Sequence, residues 1–137
     1  MSLKHDFRIV DTCYGEEFSN TDIISICDDL IQYMKDSLFW IKTLWNGKKE
    51  TKGLNYYGYT IITGENIAKL RNVINAWICL FENSEEYIML TGNYLVDEDK
   101  YEKIMLNKVE ILAQLEAFKK MCEKAEREEK HILHEGI

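Results

Sequence analysis

The chain has 137 residues, 17 Lys or Arg against 24 Asp or Glu for a formal net charge of −7, and 46% hydrophobic and 12% aromatic residues. This is enough apolar material for one folded domain and too much for a disordered chain. An acidic chain without a basic stripe is a poor match for nucleic acid, where affinity rests on neutralising phosphates, and no apolar run approaches the ~20 residues of a membrane span.

The first residues, Met1-Ser2-Leu3-Lys4-His5-Asp6, lack the apolar core of a secretory signal, which makes a cytoplasmic protein the expectation. Cys13, Cys27, Cys79 and Cys122 are far apart and lack structural zinc spacing, so reduced thiols are expected. Residues 1–46 hold four Lys or Arg against eight acids, residues 47–81 five against two, and residues 82–137 eight against fourteen. The flanks are acidic and the middle is basic. Such a charge distribution suits a basic protein partner.

In chain order, residues 8–13 are expected to form a short strand or an ordered arm. Ser19 and Asp22, with Phe18 placed to pack on Ile23, form a capping signature that starts a first helix near Asn20. Ile23, Cys27, Leu30, Met34, Ile41 and Leu44 continue it at helical spacing, and Asn46-Gly47 ends it. Asp28, Asp29 and Asp36 fall on its polar side.

Next comes Gly53-Leu54-Asn55-Tyr56-Tyr57-Gly58-Tyr59-Thr60-Ile61-Ile62, the stretch about which the chain is organised: a tightly turned segment whose rings pin neighbouring elements while Ile61 and Ile62 enter a core. Thr63 is the expected cap of a second helix, residues 64–82, with Ile67, Leu70, Ile74, Trp77 and Phe81 as its apolar stripe. Residues 87–91 and 101–106 read as strands, separated by the turn pair Gly92-Asn93 and an acidic loop, Asp97-Glu98-Asp99-Lys100. That loop lacks the spacing of a calcium-binding hand. Asn107 with Glu110 makes the clearest helix start of the three, followed by Ile111, Leu115, Phe118, Cys122 and Ala125 on one stripe. Residues 131–136 return to an extended pattern.

Candidate chemistry is sparse. His131 and His134 form an H-x-x-H pair, but on a strand a three-residue spacing points them to opposite faces, and no third ligand accompanies them. No nucleophile elbow or phosphate-binding glycine loop is present. The expectations are therefore no catalytic residues, no metal and no cofactor. The residues most suited to contact with a partner are Asp28, Asp29 and Asp36, which would steer a basic protein, and Trp40 and Tyr56, which would anchor it.

Residues 53–62 and the terminal Ile132-Leu133-His134-Glu135-Gly136-Ile137 resemble two motifs, G-L-[ND]-Y-Y-G-x-T-I-I and I-L-H-x-G-I, of small bacterial proteins similar to immunity proteins of toxin systems. The chain departs from that pattern at Thr63-Gly64, where a proline is usual, and at Glu135, where an aromatic residue is usual. The resemblance implies a single non-enzymatic protein-binding domain that neutralises a cognate toxin. The alternative is a small enzyme or ligand-binding domain using the tyrosine-rich loop and the C-terminal histidines. The expected fold is α+β, three main helices on a small antiparallel sheet, with an all-α bundle as the alternative.

Overall fold

A computed structural model describes residues 3–11 and 22–137. Its strands and helices follow the order β1 (Lys4–Val10), β2 (Ile24–Cys27), α1 (Asp28–Leu38), β3 (Lys42–Trp45), β4 (Lys49–Lys52), β5 (Tyr59–Ile62), α2 (Glu65–Glu82), β6 (Tyr87–Leu95), β7 (Lys100–Asn107), α3 (Lys108–Arg127) and β8 (His131–Glu135). The fold is mixed α+β and not an all-α bundle. Its main sheet is larger than expected, with six antiparallel strands in the order β2-β1-β8-β5-β3-β4, and β6 and β7 form a separate two-stranded ribbon.

The strand formed last in the chain thus lies between β1 and β5, near the middle of the sheet. Alternation along β8 divides its side chains between two faces: Ile132 and His134 point toward the helices with Phe7 and Ile9 of β1, while Leu133 joins Val10 and Ile61 on the other side. His131 and His134 consequently do face opposite ways, as the three-residue spacing requires. On the helical side, Leu30, Ile31 and Met34 of α1, Ile67, Leu70 and Ile74 of α2, and Ile111, Leu115 and Phe118 of α3 close one continuous core.

The first helix is the main departure from expectation. Its proposed start near Asn20, with the Ser19 cap and the Phe18 packing, lies outside the described residues, as do Cys13 and Tyr14. Within the described residues the helix begins only at Asp28, because Ile24-Ser25-Ile26-Cys27 alternates as a strand and pairs with β1. At the other end the chain leaves the helix at Phe39; Ile41 enters the core from the bend that follows, and Leu44 of β3 packs half-buried against Val10, Ile61 and Leu133 on the other side of the sheet. Asn46-Gly47 is a hairpin turn and not a helix end: both residues have positive φ, and Lys48 N–H donates to Trp45 O at 3.2 Å.

The other helix starts divide. At α3, Asn107 Oδ1 accepts from Glu110 N–H at 3.2 Å, as the capping signature predicts. At α2 the cap position is Gly64 and not Thr63, and no side chain caps it. Among the described cysteines none is bridged, and burial pushes the Cys122 thiol up to about 12.

Candidate functional site

The two motif segments, 53–62 and 132–137, meet in space. Strand β5 pairs with β8 through Tyr59↔Glu135, Thr60↔His134, Ile61↔Leu133 and Ile62↔Ile132. Beyond the ladder, Gly136 N–H donates to Gly58 O and Ile137 N–H to Tyr56 O, each at 2.8 Å. The approach at Gly136 is close enough to need a residue without a side chain, since a Cβ there would lie 2.1 Å from Tyr56 O.

Beneath this junction runs a buried polar chain. His134 Nε2 is 2.8 Å from His5 Nδ1, and His5 Nε2 is 2.8 Å from Asp28 Oδ1. Gln32 Nε2 donates to the other Asp28 oxygen at 2.7 Å, and Thr60 Oγ1 lies 3.3 Å from His134 Nδ1. Each member comes from a different element: β1 brings His5, the first turn of α1 brings Asp28, β5 brings Thr60 and β8 brings His134.

The donors can be ordered along the chain. Thr60 Oγ1 accepts from Asn55 N–H at 2.8 Å and can give its own proton to His134 Nδ1. Burial, with His5 adjacent, lowers the His134 pKa to about 3, so its ring is neutral at ordinary pH. With Thr60 as donor to Nδ1, His134 carries its hydrogen on Nε2 and gives it to His5 Nδ1, and His5 Nε2–H donates to Asp28. This tautomer assignment satisfies every ring nitrogen.

Tyr56 packs edge-on against His5, with ring centroids 4.9 Å apart. Its hydroxyl is buried without a hydrogen-bond partner among the described residues, and burial together with the nearby Asp28 carboxylate pushes the phenol up to about 12. The neighbouring Tyr57 points outward and is 89% exposed, beside a hollow of about 250 Å³ that both motifs line through Gly58, Tyr59, Glu135 and Gly136.

An Asp–His–His chain is the kind of arrangement that moves protons in acid–base catalysis, yet His5, His134 and Thr60 are each 0% exposed and Asp28 only 8%. The chain ends at a hydroxyl that is itself enclosed. In this conformation it joins four elements through buried hydrogen bonds.

The residues expected to meet a partner are scattered by this geometry. Asp28 is not a surface charge: the helix starts at it, under β1, and its carboxylate is committed to His5 and Gln32. Tyr56 is not an exposed anchor, because its ring turns inward onto His5. Asp29, Asp36 and Trp40 remain on the surface, Trp40 with 63% of its surface exposed. No described cluster of His, Cys, Asp and Glu has the form of a metal site, and His131 lies across the sheet from His134. Sequence reasoning missed His5 altogether. A lone histidine in an alternating segment carries no spacing signal, and only the β1–β8 pairing brings it to His134.

In comparisons with known proteins, no family model, no curated protein and no solved structure matches the chain. Among the described residues no helix is long and apolar enough to cross a membrane.

Proposed function

We propose that the chain is a non-enzymatic protein-binding domain of the immunity type, which covers the working surface of a basic toxin domain. One observation carries the reading: Trp40 stands exposed at the rim of an apolar hollow of about 390 Å³ between the end of α1 and α2, lined by Val73, Ala76, Trp77 and Leu80. A large exposed ring beside an apolar recess is the usual makeup of a binding hot spot. Asp29 and Asp36 lie two helical turns apart on the exposed side of α1, where they would draw in a basic partner. The two motifs that carry the resemblance to immunity proteins support the same reading from the sequence. The competing enzyme reading is less well supported, because His134 is fully enclosed and the partly exposed His131 lies across the sheet from it.

The test is neutralisation. Any toxin domain found encoded beside this chain's gene is expressed in a bacterial host alone and together with the chain. Restored growth and a stable complex of the two purified proteins are expected. Growth arrest that persists in the presence of folded, well-expressed chain would overturn the proposal.

A further inference from the structure

We infer that the outer face of the β6–β7 ribbon is a second contact surface, fitted to a protein whose own apolar patch is bordered by basic groups. The inference rests on the protein-binding reading and adds to it a surface distinct from the Trp40 hollow.

The register defines the face. Tyr87 pairs with Asn107, Met89 with Met105, Thr91 with Lys103 and Tyr94 with Tyr101. Directly opposed residues share a side, so these four pairs make one row along the ribbon. Ile88, Leu90, Ile104 and Leu106 take the opposite side and join the core. The row is apolar and open to solvent: Tyr87, Met89, Tyr94, Tyr101 and Met105 are each 46–60% exposed. Its one charged member, Lys103, is tied to Thr91 Oγ1 at 2.9 Å.

A bulge extends the row. Between the Thr91 and Tyr94 pairs β6 advances three residues while β7 advances two. Simple alternation would turn Tyr94 to the side opposite Thr91, and the extra residue turns it back. Tyr94 then meets Tyr101 edge to face at 5.1 Å. The local irregularity thus brings another ring to the solvent side, although burial would favour turning it inward.

Charge at the two ends selects the occupant. Glu85 and Glu86 are exposed at the base, and Asp97, Glu98 and Asp99 are exposed at the tip. The nearby lysines offset them only in part. Lys100 pairs with Glu98 at 3.1 Å, and the Lys108 amino group is held by the carbonyls of Glu82 and Ser84. A second copy laid on this face would set carboxylates against carboxylates in either direction, whereas a partner with basic margins would meet opposite charge at both ends.

The inference is tested by surface-binding kinetics on the purified toxin domain used above. The Met105→Glu variant changes an exposed side chain and should keep the wild-type melting midpoint. Its complex should be weaker by about 30-fold, mainly through faster dissociation. The Glu85→Gln/Glu86→Gln variant touches neither apolar face. It should associate more slowly, with a shallower dependence on salt. If both variants bind like the wild type, the ribbon is not a contact surface and the protein-binding reading stands without it. If the wild-type chain forms no complex, that reading fails and the surface fails with it. Wild-type self-association in sedimentation equilibrium that Met105→Glu disperses would assign the face to a second copy and overturn the inference.

Discussion

His5 sits between Asp28 and His134 and bonds to both, so its removal would leave a buried carboxylate with one partner fewer and a cavity beside Phe7 and Tyr56. His5→Ala should therefore cost about 3–5 kcal/mol in denaturant unfolding. Tyr56→Phe should behave oppositely. Its hydroxyl is buried without a partner among the described residues, so deletion should leave stability unchanged or raise it by up to about 2 kcal/mol, and a loss would mean that the hydroxyl has a bound water or other partner. His134 makes stability depend on pH in a known direction. Its folded pKa of about 3 lies below the ordinary value of 6.5, so the unfolded chain binds the proton more tightly and stability falls as pH drops from 6.5 toward 3. Between pH 6.5 and 5, before most carboxylates titrate, the slope from this one group should approach about 1.4 kcal/mol per pH unit at its lower end. The His134→Gln variant, though less stable, should show a flatter dependence in the same window, measured by urea melts at several pH values.

At the scale of elements, α3 allows a capping bond to be compared with core packing. Asn107→Ala should cost about 1 kcal/mol by removing the bond to Glu110 N–H, and Leu115→Ala about 2–5 kcal/mol by opening a cavity at a fully buried site. Denaturant melts that rank the Asn107 variant as the more damaged would contradict this. The same helix shows what could be read from sequence alone. Asn107, Ile111, Leu115, Phe118, Cys122 and Ala125 carry both a start signal and a sustained period, and α3 lies where they place it. The region from Ile24 to Trp45 carries mixed signals. Ile23, Cys27, Leu30 and Met34 mimic one helical stripe, although Ile24 and Ile26 alternate as a strand and Asn46-Gly47 is equally a hairpin turn. Only pairing with β1 and β5 decides between them. The strands 87–91, 101–106 and 131–136 were legible from apolar alternation, but Gly92-Asn93, read as a turn, lies inside β6 at its bulge and the chain turns at Val96–Glu98; β4, Lys49-Glu50-Thr51-Lys52, is a polar edge strand without such a pattern.

For the whole molecule, topology explains why the candidate site was the least legible part. His5 and His134 are 129 residues apart and become neighbours only when β8 enters between β1 and β5. No local pattern announces such a pairing. The same topology makes the fold depend on its last strand. A chain truncated after Lys130 loses a central strand, two members of the core and the His134 bond, and it should show no cooperative unfolding transition by circular dichroism; a cooperative melt in that variant would contradict the sheet order. On the function proposed above, the buried histidine chain serves as scaffold while the surface of α1 meets a basic partner. Surface-binding kinetics at two ionic strengths, comparing the wild type with Asp29→Asn/Asp36→Asn and with Trp40→Ala, tests it most directly. The Asp substitutions should slow association and reduce its salt dependence, while Trp40→Ala should mainly speed dissociation. An association rate indifferent both to salt and to the Asp substitutions, with dissociation unchanged by Trp40→Ala, would contradict it.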